Sequence, residues 1–332
     1  MSEQASPQDQ ILGIVNNYWQ GCAVGAAAEL EIADHLADGP LDIAALAERT
    51  KTHASSLYRM LRALESTGIF TQVSSGAFAN TPASECLRRR APNSSWAWLR
   101  VTLSSNGMVN NGWRGLMVSL KEGKPGFEEL NGCTGWEYMQ ANPEQGAVFN
   151  EAMRDLAAAI TPAVTGSYDW GRFPVIADLG GGVGSQLIDI LDAHPDCRGV
   201  LFDQPQVITQ APEHRRMEPL GGDFFSNIPQ ADAYLLRWIL HDWDDAQARA
   251  ILKNVHAAAK PGAALMIVES VIPESAEFDM GKWMDLNMMV MAGGRERTAN
   301  EFRVLFDQAG FDFEEIVETP SPLSIVVGKA RD

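Results

Sequence analysis

Asp178-Leu-Gly180-Gly-Gly182-Val-Gly184 sets an acid and then glycines at alternate positions, directly after the apolar run Val175 to Ala177. Glycine lets the chain turn sharply and leaves main-chain N–H groups open to a ligand, with no Cβ in the way. A dinucleotide loop G-x-G-x-x-G would need a glycine at 185, where Ser185 stands. The phosphate-cradling loop G-x-x-x-x-G-K is also absent, since no Lys follows. What remains suits a cofactor without a pyrophosphate but with a charged amino-acid end. Asp203, in Leu-Phe-Asp-Gln-Pro, lies 25 residues further on at a strand end, where ribose hydroxyls are accepted. Asp223, in Gly-Gly-Asp-Phe-Phe, is a third strand-end acid, with Phe224 beside it to lie against an adenine. Loop, ribose acid and adenine acid in this order imply S-adenosylmethionine.

A second group could move protons. His241, in Arg-Trp-Ile-Leu-His-Asp-Trp-Asp-Asp, follows an apolar strand, and Glu269 ends the next one, Ala-Leu-Met-Ile-Val-Glu. The two side chains therefore emerge at neighbouring strand ends, on the ligand-binding edge of a sheet. His35, His53, His194, His214 and His256 read as solvated, packed or turn residues. Glu296, in Gly-Gly-Arg-Glu-Arg-Thr, reads by itself as a solvated loop carboxylate. His241, Asp242, Asp244 and Asp245 could in principle ligate a divalent ion. Asp244 and Asp245 read better as the start of a helix, where acids cap and oppose the dipole, so no metal is expected.

The elements that must carry these residues fall into two regimes. From Phe173 onward strand and helix alternate, which predicts an α/β, doubly wound sheet. Residues 11–90 read instead as short helices: Ile11 to Leu30, Pro40 to Thr50, and Ala54 to Gly68 with Leu57, Met60, Leu61 and Leu64 on one face. Ile69 to Val73, a Ser-Ser-Gly turn and a return through Phe78 read as a hairpin, completing a winged-helix pattern. Three segments follow: a winged-helix-like domain over 1–100, a helical linker over 101–170, and a cofactor-binding catalytic domain over 171–332.

Charge tests the winged helix for DNA binding. Residues 1–100 carry eight Lys and Arg against ten Asp and Glu, and the whole chain carries −17. A surface that grips phosphates should be basic, so nucleic acid and anionic membranes are poor partners. The long apolar N-terminal helix needs a partner surface, and a second copy of the chain is the simplest. Cys22, Cys86, Cys133 and Cys197 form no CxxC and read as buried reduced thiols. The opening MSEQASPQDQ lacks the basic and apolar regions of a secretory signal, and no apolar run is long enough for a membrane span. A cytoplasmic location is expected.

DLGGGVG, HPDCRGVLFDQPQV, GGDFF, RWILHDWDD, VES and GGRERT together resemble the dimeric S-adenosylmethionine-dependent O-methyltransferases. That family includes plant phenolic, hydroxyindole and bacterial natural-product enzymes, and the resemblance runs from residue 11 to the C-terminus. It implies a Rossmann-like methyltransferase sheet whose last strand, Leu323 to Ala330, is antiparallel, an N-terminal dimerisation domain over 1–100, and a substrate-covering role for the linker over 101–170. It places Gly180 and Gly182 at the methionine end of the cofactor, Asp203 at the ribose, and Asp223 and Phe224 at the adenine. Asp178 opens the same loop, and Arg237 stands where relatives carry Lys or Arg near the cofactor. His241 becomes the general base, with Glu269 and Glu296 bracketing it.

The chemistry fits those residue types. A sulfonium methyl is already electrophilic, whereas a phenol, of pKa about 10, is a poor nucleophile until its proton leaves. A neutral imidazole can take that proton, an effect worth about 10²–10⁴-fold. Glu269 would accept a hydrogen bond from the other ring nitrogen, and Glu296 would hold the ring from the opposite side. Alignment of oxygen, methyl carbon and sulfur supplies the rest. Phe149, Asn150 and Met153 on one helix, and Trp283, Asn287, Met288 and Met291 on another, match family helices over the acceptor site. With Trp238 and Trp243 flanking the base, they predict a planar aromatic acceptor, phenolic or heteroaromatic, of secondary metabolism. N- or C-methylation, an atypical hydroxylase, a winged-helix regulator and a nicotinamide dehydrogenase are the alternatives.

Overall fold

The computed structural model describes residues 6–74 and 76–332. They divide into two compact units, Met1–Arg114 with Trp136–Asp155, and Gly115–Gly135 with Leu156–Asp332.

In the first unit a helix runs over Pro7–Glu29, opened by a capping box in which Ser6 and Asp9 bond reciprocally. Ile11, Leu12, Ile14, Val15, Tyr18 and Trp19 on its first half are exposed. Its second half is small: a Cβ on Gly25 would meet the Leu103 carbonyl oxygen at 2.5 Å, so only glycine admits the helix Trp96–Leu103. Helices Ile43–Thr50 and Ala54–Glu65 pack with strands β1 (Leu41–Asp42), β2 (Thr71–Ser74) and β3 (Ala77–Ala79), in the order β1-β3-β2. This is the predicted winged helix; Ser75 of its turn lies outside the described residues. One boundary moves. The helix expected from Pro40 starts at Ile43, because the Asp42 carboxylate accepts the N–H groups of Ala44 and Ala45 as its cap.

The second unit is built on seven strands: β4 (Val175–Leu179), β5 (Arg198–Asp203), β6 (Met217–Gly221), β7 (Ala233–Arg237), β8 (Ala264–Glu269), β11 (Phe311–Glu318) and β12 (Ser324–Ala330). Their order is β11-β12-β8-β7-β4-β5-β6, and β12 runs antiparallel to both its neighbours, as expected. Alternate residues feed two cores. Ala177, Leu236, Leu265 and Val326 join one cluster, while Ile176, Leu235, Met266 and Val327 join the other. Both faces are therefore covered, which explains why β8 reads as an unbroken apolar run. A separate parallel pair, β9 (Val271–Ile272) with β10 (Arg297–Thr298), follows directly on β8. The strand order reverses between β4 and β7, so their C-terminal ends form a topological switch point, where a crevice is expected.

The thiols are free as expected, but only one is buried. Cys197 is buried, Cys86 and Cys133 are intermediate and Cys22 is exposed; all four are free. Cys22 sits on the N-terminal helix, whose large apolar residues Ile11, Leu12, Ile14, Val15, Tyr18 and Trp19 are exposed. Among the described residues, no helix is long and apolar enough to cross a membrane.

Candidate active site

The glycine loop leaves β4 and enters the helix Ser185–Ala193 with Gly180, Gly182 and Gly184 all at positive φ, between 61° and 83°. That backbone would strain any other residue. A Cβ on Gly180 would meet Ile239 Cδ1 at 2.4 Å, whereas one on Gly182 would enter open space. Asp203, at the end of β5, accepts the Gly182 N–H at 2.8 Å and that of Gln204 at 2.6 Å. Burial raises its pKa, and those two hydrogen bonds pull against the rise. Asp178 is buried beneath the loop, its Oδ2 2.5 Å from where a Gly181 Cβ would be. Burial pushes its carboxyl up to about 7, opposed by Arg237.

Arg237, at the end of β7, donates to Thr161 Oγ1 at 2.8 Å and to Gln186 Oε1 at 3.0 Å. Gln186 in turn donates to Thr165 Oγ1 at 2.9 Å, so the guanidinium sits in a polar network beside the loop. Asp223 is exposed and turns the chain by accepting the Phe225 N–H at 2.8 Å. The Phe224 ring comes within 3.8 Å of the Cβ position of Gly180. Its carbonyl is tied by the Asn254 amide at 3.0 Å, an anchor that sequence reasoning missed. These residues fit S-adenosylmethionine: open space at Gly182, a strand-end carboxylate at Asp203 and a ring at Phe224.

Next to the loop, Trp238 follows β7 at φ +55°, a left-handed conformation that costs a non-glycine residue about 1–2 kcal/mol. Its N–H bonds to the Val268 carbonyl at 3.2 Å, and the Arg237 guanidinium lies 5.5 Å from its ring centre. The bend delivers a 3-10 turn, Leu240–Asp242, that carries His241. His241 Nδ1 is 2.8 Å from Glu296 Oε1, with 12% of the His side chain and 1% of the Glu exposed. Asp242 Oδ1 lies 3.7 Å from Nε2, beyond hydrogen-bonding reach. Burial works against the imidazolium but is outweighed by Asp242, Glu296 and Glu269, which raise His241 to about 9.

Glu269 corrects the expectation that it would bond the ring. Its Oε1 accepts the backbone N–H groups of Ile239 at 3.2 Å and His241 at 3.1 Å, so it ties the turn itself. It is fully buried, and burial raises its carboxyl to about 7. The reason is geometric: β8 runs beneath the turn, so its terminal side chain meets main chain first. Glu296 reaches the ring because its loop threads close by. A Cβ on Gly294 would stand 1.9 Å from the His241 carbonyl oxygen, and the Arg295 N–H bonds that oxygen at 2.8 Å. The Glu296 N–H is held by Asp285 Oδ1 at 3.0 Å. Asp285, the one acid within the apolar helix Met280–Met291, was overlooked; its isolation there was the available signal.

Trp238, Asn287 and Met288 are half-buried, and Met291 is buried in packing. Trp283 is 52% exposed. Trp243 packs edge-on against Phe224 and Phe225 at centroid distances of 6.0 and 4.9 Å, so its ring sides with the Phe pair. In the first unit, Phe149 and Met153 are half-buried against the cluster of Ala28, Trp96 and Val148, and Asn150 is exposed. Asp244 caps the helix Asp245–Ala258, and Asp245 is paired with arginines. Among the described residues, no group of three or more His, Cys, Asp and Glu is placed to hold a metal ion.

Comparison with known proteins identifies the family and the fold. Residues 113–312 match the model of an O-methyltransferase domain, and residues 12–90 that of an O-methyltransferase dimerisation domain. The chain is 38% identical over 325 residues to the phenazine O-methyltransferase PhzM of Lysobacter antibioticus, covering 95% of this chain and 94% of that one. The crystal structure of LaPhzM superposes with a TM-score of 0.91 at 36% identity, covering 98% of this chain and all of that one. NcsB1, an O-methyltransferase of neocarzinostatin biosynthesis solved with S-adenosylmethionine and 2-hydroxy-5-methyl naphthoic acid, superposes with a TM-score of 0.81. Its identity is 33%, covering 94% and 96% of the two chains.

Proposed function

Since the chain belongs to the S-adenosylmethionine-dependent O-methyltransferase family, we propose that it methylates a hydroxyl of a planar aromatic small molecule, with His241 as general base. The observation that carries this reading is the bond between His241 Nδ1 and Glu296 Oε1 at 2.8 Å. It fixes the tautomer that leaves Nε2 as the proton-accepting nitrogen. The bound cofactor supplies an electrophilic methyl group. Gly180, Gly182, Asp203, Asp223, Phe224 and Arg237 hold it, and His241 Nε2 takes the hydroxyl proton as the nucleophile forms. Glu296 stabilises the imidazolium that results, and Glu269 keeps the turn in place. Trp238, Asn287 and Met288 offer flat, polarizable surface with one amide to orient a hydroxyl.

The aromatic acceptor is supported by the substrates named for the relatives, including a phenazine and a naphthoic acid. The reading includes a homodimer formed through the exposed apolar face of the N-terminal helix. With −17 overall, nucleic acid and anionic membrane are unsuitable partners, and a cytoplasmic setting suits a small-molecule enzyme.

The test is mass spectrometry of 1-hydroxyphenazine, 1,4-dihydroxy-2-naphthoate, 3-amino-4-hydroxybenzoate and N-acetylserotonin incubated with protein and S-adenosylmethionine. A gain of one methyl on oxygen supports the reading. Methyl transfer to nitrogen or carbon alone, or hydroxylation without methyl transfer, would replace it.

A further inference from the structure

Arg297 is fully buried, yet it belongs to no ligand contact considered so far. Its Nη1 donates to the Leu240 carbonyl at 2.9 Å and its Nη2 to the Trp243 carbonyl at 3.0 Å. One belongs to the first residue of the short turn that carries His241, and the other to the residue just past its end. Its Nε bonds Asp245 Oδ1 at 3.1 Å. The position follows from topology: β10 pairs with β9, setting Arg297 opposite Val271, two residues beyond Glu269. The turn is thus gripped by opposite charges, Glu269 taking N–H groups of 239 and 241 while Arg297 feeds carbonyls of 240 and 243. The Leu240 carbonyl already takes the Trp243 N–H at 3.2 Å, closing the turn, whereas the Trp243 carbonyl lies past its end, where a buried carbonyl needs a donor from elsewhere. A guanidinium supplies several N–H groups in a rigid fork, whereas an ammonium is a single point.

We propose that Arg297 is a positioning residue for the methyl-transfer step, holding His241 at its working place through the Leu240 and Trp243 carbonyls. The proposal rests on the reading of His241 as the base. Arg295, two residues away, is the contrast. It pairs with Asp245 and Glu301 but is 41% exposed, and its side chain contributes nothing to the turn's carbonyls. An ion-pair role alone would make the two arginines equivalent.

A double-mutant cycle tests the idea, using the panel acceptor that the wild type turns over fastest. Arg297→Lys should lower kcat about 10²-fold, the scale of a roughly 1 Å misplacement of a reacting group. Its Kd for S-adenosylmethionine should stay within about twofold, and Arg295→Lys should hold kcat within about threefold. In a His241→Ala background, Arg297→Lys should cost less than about threefold more, since the residue acts through the imidazole. Equal losses in both backgrounds would overturn the proposal. Undiminished turnover by His241→Ala itself would instead overturn the base assignment. Should Arg297→Lys not fold, Asp245→Asn decides: it removes the ion pair and keeps both carbonyl bonds. Retention of kcat within about threefold supports the proposal, and a loss near 10²-fold shows that the ion pair did the holding.

Discussion

Glu296 Oε1 bonds the His241 ring at 2.8 Å, while Glu269 Oε1 bonds the His241 main-chain N–H at 3.1 Å. Two buried carboxylates thus serve one residue in different ways, the first bonding its ring and the second holding its main chain. Glu296→Gln should lower kcat about 10²-fold, because the imidazolium loses its charged partner. Glu269→Gln keeps an oxygen for both N–H groups but buries an amide where Oε2 has no hydrogen-bond partner. Its expected signature is a smaller kcat loss, about tenfold or less, with a stability loss of about 1–3 kcal/mol. Steady-state rates and denaturant melts of the pair check this. A larger kcat loss at Glu269 than at Glu296 would contradict the division of roles.

The pH profile follows from the same cluster. His241 is opposed by burial and lifted to about 9 by Asp242, Glu296 and Glu269, so in the free enzyme it is protonated at neutral pH. A base must be neutral to act. Hence kcat/KM should climb from pH 7 and level off near the His241 pKa of about 9. In Glu296→Gln the inflection should move to lower pH, because a group that favours the cation is gone. Ionisation of the acceptor would stay where it was, so an unmoved inflection assigns the profile to the acceptor.

Gly294 has no room for a methyl group, since its Cβ would lie 1.9 Å from the His241 carbonyl oxygen. Gly294→Ala should push the 294–296 loop off the turn and lengthen the ring contact. The expected loss in kcat is about 10²-fold. Cofactor affinity, measured by calorimetry, should change little, because no cofactor residue lies on that loop.

Gly182 presents the opposite case, with φ +61° and open space where a Cβ would stand. Gly182→Ala should place a methyl in the cofactor's cradle. KM for S-adenosylmethionine should rise about tenfold, with a stability loss of only about 1 kcal/mol. Unchanged cofactor affinity would put the methionine end elsewhere.

The N-terminal helix leaves Ile14 and Trp19 exposed, 63% and 65% respectively, beside four further large apolar residues. A face of this kind is covered in solution by another surface. Light scattering should give a dimer for the wild type. The double variant Ile14→Glu with Trp19→Glu should halve the mass at equal concentration. A monomeric wild type would refute the proposed assembly.

Much of the fold was legible because it is written in local patterns. Alternation of apolar strands with helices predicted the doubly wound sheet, and the glycines after Ala177 predicted the loop, since positive φ is a property of single residues. His241 and Glu269 could be paired from sequence because one follows and the other ends neighbouring parallel strands, β7 and β8, whose spacing is fixed by backbone hydrogen bonding. What each side chain touches was not legible. Whether Glu269 meets a ring or a peptide N–H depends on the last ångström of a bend at Trp238, and no pattern encodes that. Arg297 stood in plain view within Gly-Gly-Arg-Glu-Arg-Thr, as one arginine of two. Only the pairing of β10 with β9 buries one beneath the turn and leaves the other in solvent, because burial is settled by which distant strand arrives alongside.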